Sequence, residues 1–267
     1  MLATVASSAL IAFTPVVIHD SAERYPLAAA GRDAPIAHTA GRAPAAYGRE
    51  VPARAGGRWL QYWLYYPYQD QDRGIVRTGR HTGDWELVQY RVDADDRLQE
   101  AVYAQHSGAE RCGASNVEFS GHPIVYAAHG SHASYFHAGT RDRTWPDPND
   151  EADGKGRLTR PELVEISRTS PAWMTYPDPW GPSRAHFFLP GEQDSPKGPY
   201  FQPDRWDADA FAASAHPCMP TCTKVNVCDR KETRMRFALV FGIALIGIVA
   251  SAARRMKRDT PKDDPEP

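Results

Sequence analysis

What the chain lacks narrows its chemistry first. No sign of charge dominates: 31 basic and 33 acidic residues leave a net charge of -2 over 267 residues. Without a positive field there is nothing to gather nucleic acid, so a nucleic-acid partner is excluded as the expected ligand. There is no phosphate-cradling glycine loop, no Gly-x-Ser-x-Gly elbow and no His-Glu-x-x-His pair, so the common nucleotide, serine-hydrolase and zinc-protease chemistries have no sequence support. No basic run precedes the apolar start MLATVASSALIAFTP, which makes it a poor secretory signal. No segment repeats. Cysteine is scarce, at four residues.

Aromatic residues and turn formers are plentiful: seven Trp, twelve Tyr, 23 Pro and 20 Gly. Short strands joined by many turns use such residues better than long helices do. The composition therefore predicts a mainly β protein, a β-sandwich with long loops and minor helix. The one long apolar run, residues 237–253 (FALVFGIALIGIVASAA), carries no charge and is flanked by Arg236, Arg254 and Arg255. Seventeen residues at about 1.5 Å each reach roughly 26 Å, so the run is expected to be one C-terminal transmembrane helix with snorkelling arginines at its ends. The expected organisation is a β-rich domain over 1–213, a cysteine-containing stalk over 214–236, the helix over 237–253 and a disordered tail over 254–267. Cys112, Cys218, Cys222 and Cys228 are even in number, and three of them gather before the apolar run. Two disulfides in an oxidising compartment fit this pattern, which points to a single-pass membrane protein with an exported domain and a cytoplasmic tail.

Within the domain, Trp59–Tyr68 (WLQYWLYYPY) reads as a strand buried on both faces. Asp84–Asp93 reads as a second strand, Asp93–Arg97 as a turn and Leu98–His106 as the returning strand of a hairpin. Pro123–Ala128 is a fourth strand, running into His129-Gly-Ser-His132-Ala-Ser-Tyr135. Alternate residues of a strand share a face, so Asp84 and Glu86 point one way while Trp85 and Leu87 point the other. Adjacent carboxylates repel and stay ionised together only when a cation or a shared proton relieves them. His81 precedes the strand at a turn loosened by Gly83, and Asp72 follows the aromatic strand, so both can add a ligand. Oxygen-rich donors with at most one imidazole suit calcium or magnesium as the divalent cation better than zinc.

A second group comprises His106, His129 and His132, with Ser131 and Tyr135 beside them. Strand ends bring His106 and His129 to one rim, where the group can bind a ligand or, through His129 or His132, act as acid or base. A tight turn held by His129 and Ser131 explains the same residues without function. The stretch from Asp147 to Gly156 resembles a calcium-binding turn, but Arg160 stands where an EF-hand has glutamate, so a solvated loop is expected there.

These motifs resemble the vacuolar protein sorting-associated protein 62 family. The resemblance rests on Pro15-Val-Val-Ile-His19-Asp20-x-x-Glu23-Arg-Tyr25-Pro26, His81-x-Gly-Asp84-Trp85-Glu86, His122-Pro-Ile-Val-Tyr126, His129-Gly-Ser-His132-Ala-Ser-Tyr135-Phe136 and Ser195-Pro-Lys-Gly-Pro199. A shorter similarity, in Tyr62-Trp-Leu-Tyr-Tyr-Pro67 and His81-x-x-Asp84-Trp85-Glu86, links the chain to the necrosis- and ethylene-inducing peptide-like proteins. Those are secreted β-sandwich cytolysins that hold a divalent cation and recognise sphingolipid head groups. That resemblance implies that His81, Asp84 and Glu86 are cation ligands, with Asp72 a fourth. Gly83 stands where the cytolysins carry another histidine, a departure that argues for the cation site over cytolysis. The function expected is binding of a lipid head group or sugar at a membrane; the alternatives are a metal-dependent hydrolase using His129 or His132, and a cation of purely structural use.

Overall fold

The structure, a computed structural model, describes residues 7–31, 42–71, 80–141, 143, 149–182 and 195–218. Its strands are β1 (Val16–His19), β2 (Ala45–Pro52), β3 (Arg58–Gln69), β4 (His81–Val92), β5 (Leu98–Gln105), β6 (Gly108–Gly113), β7 (Ile124–Ala127), β8 (Ser134–Tyr135), β9 (Gly139–Arg141), β10 (Asp150–Ala152), β11 (Leu158–Thr159), β12 (Glu162–Glu165) and β13 (His216–Pro217). The helices are short: α1 (Ser8–Ala12), α2 (Pro203–Trp206) and α3 (Ala208–Ser214). The protein is mainly β, with few helices and long loops.

Seven strands form one sheet in the order β12-β2-β3-β4-β5-β6-β13. From β2 to β6 it is an antiparallel meander, with a parallel strand added at each edge. The β4–β5 connection is the expected hairpin. Asp93 Oδ1 accepts hydrogen bonds from the amides of Asp95 and Arg97, each at 2.9 Å, and Asp96 takes the left-handed conformation that closes the turn. A four-stranded sheet, β11-β1-β7-β8, lies over one face of the larger one. At its centre β1 pairs in parallel with β7, so the whole meander intervenes in sequence between two neighbouring strands.

Period-two alternation sorts the side chains of β3 and β4 between two cores. Tyr62, Leu64, Tyr66, Val88 and Tyr90 pack between the sheets with Val17, Val125 and Phe136. Trp59, Trp63, Tyr65, Trp85 and Leu87 pack on the opposite face under Met174, Trp206 and Phe211, contributed by α2, α3 and the preceding loop. This third layer is why the aromatic strand is buried on both faces, as its composition implied.

The expectation of a single-pass membrane protein is corrected here. Among the described residues no helix is long and apolar enough to cross a membrane. The described helices have four to seven residues, and at about 1.5 Å per residue they reach about 10 Å against a hydrocarbon core of about 30 Å. The apolar run 237–253 and the tail after it lie outside the described residues, as do Cys222, Cys228 and Asp72. Of the expected disulfides, Cys112–Cys218 is formed, and it fastens the segment after α3 to β6 beside the β6–β13 pairing.

Candidate functional site

Asp84 and Glu86 share a face of β4, as the alternation required, and that face looks into the space between the two sheets. Both are buried, at 6% and 3% exposure. Tyr66, Asp84's partner across the β3–β4 ladder, shares the face. Its ring stacks on His132 at 4.0 Å, with the two planes within 6°. His132 is fully buried and sits between two carboxylates: its Nδ1 donates to Asp84 Oδ2 at 2.9 Å, and its Nε2 lies 3.6 Å from Glu23 Oε1. Glu23 is in turn held by the amides of Tyr25 at 2.6 Å and Gly130 at 2.7 Å.

The turn after β7 delivers this imidazole. Gly130 has φ +68, and a Cβ there would fall 2.5 Å from the Asp70 carbonyl oxygen, so only glycine lets the turn pass so close to the end of β3. Asp70 donates its amide to Gly130 O at 2.9 Å, and His132 takes a left-handed φ of 56° that swings its ring inward.

Electrostatics divide the carboxyls. Burial opposes charge on His132, but the hydrogen bond to Asp84 and the charge of Glu23 overcome it and push its pKa up to about 9. The same ion pairs act in reverse on the acids. Against the cost of burial, His132 and two backbone donors pull Glu23 down to about 2. Asp84 is likewise held below the usual carboxylate range despite burial, by the His132 hydrogen bond and the charges of His81, His132 and Arg205. The charges of Arg205 and His132 also favour ionised Glu86, but they do not prevail and it has no hydrogen bond from His132. Burial, reinforced by the charge of Asp84, drives its pKa well above the usual range, and its Oε2 is buried without a hydrogen-bond partner. His19, on β1, is forced the other way: burial and the charge of His132 push it down to about 4, so it stays neutral.

Two residues set the edges of this site. His81 donates Nδ1–H to Gly83 O at 2.8 Å, which leaves Nε2 as the ring nitrogen not engaged by the backbone. Arg205 donates to Trp85 O at 2.9 Å and also to His106 O. The β4–β5 ladder runs only from Val88↔Tyr103 to Val92↔Leu98, so this guanidinium bridges the strand ends where the ladder has stopped, beside the carboxylate pair. Gly83 has φ +65, and a Cβ there would lie 3.2 Å from Trp180 Cβ. A histidine at this position would need a strained backbone and would press on Trp180, a physical reason for the glycine.

The second expected group converges, but on a carboxylate that sequence reasoning missed. His106 Nε2 donates to Asp150 Oδ2 at 2.6 Å, Ser131 Oγ to Asp150 Oδ1 at 2.8 Å and Tyr135 Oη to Asp150 Oδ2 at 2.6 Å. Burial works against this carboxylate, but His106, Arg143 and Tyr135 hold it below the usual range. The expectation of a solvated acidic loop is therefore corrected at Asp150, which is 2% exposed and lies in β10. His129 does not join the group through its side chain. It stays half-buried in the turn, and its amide donates to Glu151 O at 2.8 Å. Among the described residues, three candidate metal-ligand atoms come within 4.8 Å of one another only at Glu110, Cys112 and Cys218, where the two sulfurs are bonded to each other. The ligand atoms of His81, Asp84 and Glu86 are spaced more widely than that.

Residues 60–187 match the model of the vacuolar protein sorting-associated protein 62 family. The vacuolar protein sorting-associated protein 62 match takes in the aromatic strand, the Asp84–Glu86 pair, the His129–Tyr135 turn and Asp150. No curated protein matches the chain. Among solved structures, one titled "Toxin fold for microbial attack and plant defense" is similar at 16% identity and a TM-score of 0.46, covering 77% of this chain and 89% of that one. NLPPya in complex with glucosamine is similar at 16% identity and a TM-score of 0.46, with 76% and 87% covered. The non-toxic HaNLP3 protein is similar at 13% identity and a TM-score of 0.45, with 79% and 92% covered. Both resemblances drawn from the motifs thus recur in the comparisons.

Proposed function

We propose that this domain is a binding module in which Asp84 and Glu86, with His81, hold a divalent cation, calcium or magnesium, that presents a sugar or lipid head group to the protein. The observation that carries the reading is Glu86: its Oε2 is buried with no hydrogen-bond partner, beside an Asp84 whose charge His132 already balances. A buried carboxylate in that position keeps a proton or takes a cation. The donor set favours the cation, because His81 has its Nδ1–H committed to a backbone carbonyl and so offers Nε2. A hard cation with oxygen donors keeps positions for ligand hydroxyl or phosphate oxygens, which is the chemistry it would supply here. Arg205 would position the β4 segment that bears the pair, and Tyr66 with His132 would wall it from the core.

The hydrolase reading has less support. His132 is fully buried and spent as the counter-charge of two carboxylates, so it has no lone pair to act as a base and no reason to release its proton near neutrality.

Titration of calcium and of magnesium into the full chain by calorimetry tests the proposal. Saturable binding of either ion, lost in Asp84→Asn with Glu86→Gln and weakened in His81→Ala, is the expected result. An isotherm unchanged by the double substitution overturns it. Binding of the ion without any effect of added sugars or lipid head groups on it would leave a cation that only fastens β4, and the binding-module reading would fall.

A further inference from the structure

Arg141 is a buried cation that no described residue neutralises. It ends β9 opposite Asp150 in the β9–β10 pairing and is 5% exposed, and its Nε and Nη1 are buried without a hydrogen-bond partner. Among the described residues no carboxylate lies within 4.0 Å of its guanidinium. Arg143, two residues further on, has its Nε 3.9 Å from Asp150 Oδ2. The charges of both arginines bear on the Tyr135 hydroxyl. Asp150, the residue across the pairing from Arg141, already accepts from His106, Ser131 and Tyr135. Arg141 does lie over the Tyr135 ring, 5.1 Å from its centre, but a ring face offers no acceptor for the N–H groups. Guanidinium N–H groups are seldom left buried and unpaired, because desolvation without a partner is costly.

The geometry points to Arg141 as the anchor of an oxyanion subsite, which takes the carboxylate or phosphate group of a ligand on its unpaired N–H groups. The guanidinium fork matches both groups, which is why arginine rather than lysine serves this purpose. Tyr135 and Asp150 form its closed side. His106 and Arg143, whose side chains are 19% and 17% exposed, form the side nearer solvent. The subsite uses none of the residues proposed for the cation and stands or falls without them.

Calorimetry at low ionic strength, with EDTA present so that no divalent cation takes part, tests it with three probes: inorganic phosphate, glucuronate and glucose. The full chain is expected to bind at least one of the two anions saturably and glucose not at all. Which anion binds more tightly separates a phosphate-bearing from a carboxylate-bearing ligand. Arg141→Gln is expected to weaken anion binding tenfold or more, and Arg141→Lys to weaken it several-fold. No saturable heat with either anion overturns the proposal, as does an Arg141→Gln protein that binds like the original or glucose bound as well as glucuronate. Should Arg141→Gln fail to fold, an Arg141→Lys protein with undiminished affinity is enough to overturn it.

Discussion

The two buried clusters are unbalanced in opposite senses. Around His132, one imidazolium serves Asp84 and Glu23, and Glu86 is left over. Around Asp150, one carboxylate serves His106, Ser131, Tyr135 and Arg143, and Arg141 is left over. They are close enough that the charge of Asp150 registers at Glu86. In each, the paired groups form a frame, and the leftover group is the one proposed to carry the ligand chemistry. Under that proposal, stability and function belong to different residues of the same cluster.

Substitutions should separate the two. His132→Ala is expected to have the largest effect, costing about 3–5 kcal/mol in urea denaturation, because it leaves two carboxylates buried without their shared counter-charge. Acidification comes next. His19 is depressed to about 4 from an ordinary 6.5, so the unfolded chain binds its proton first. The stability it contributes is whole above pH 6.5 and is lost as pH falls toward 4, by about 3 kcal/mol, and His19→Gln should flatten that part of the pH profile. Asp150→Asn should cost about 2–3 kcal/mol, since one of its oxygens becomes a donor facing donors. Tyr135→Phe removes one hydrogen bond to Asp150 and should cost about 1–2 kcal/mol. Glu86→Gln should change stability least, by less than about 1 kcal/mol in either direction in the absence of cation, while abolishing cation binding. A loss at Glu86 as large as that at His132 would erase the distinction between frame and leftover group.

Much of this was legible in the sequence, for local reasons. Alternation placed Asp84 and Glu86 on one face and Trp85 on the other, and the unbroken aromatic run 59–68 announced a strand covered twice. Strand ends and turn residues brought His106, Ser131 and Tyr135 together. What escaped was set by distant pairing. Glu23 and His19 enter the site because β1 lies beside β7, more than a hundred residues later, and no local pattern announces a parallel neighbour at that separation. Asp150 sits in a stretch as polar as any exposed loop, and its burial follows from three donors that arrive from other parts of the chain. Arg141 gave no signal either, because an arginine at a strand end reads as a surface charge until its surroundings are known. The two-sided burial of β3 had the clearest signature, since it is written in consecutive residues.

The bond between Cys112 and Cys218 has a mechanical consequence. The two-residue ladder of β13 would peel readily under load, but the sulfur bridge beside it carries tension straight into β6. Any pull on the polypeptide beyond residue 218 is therefore delivered to an outer strand of the large sheet, at two strands' remove from β4. The carboxylate pair is insulated from strain that reaches the domain along its own chain.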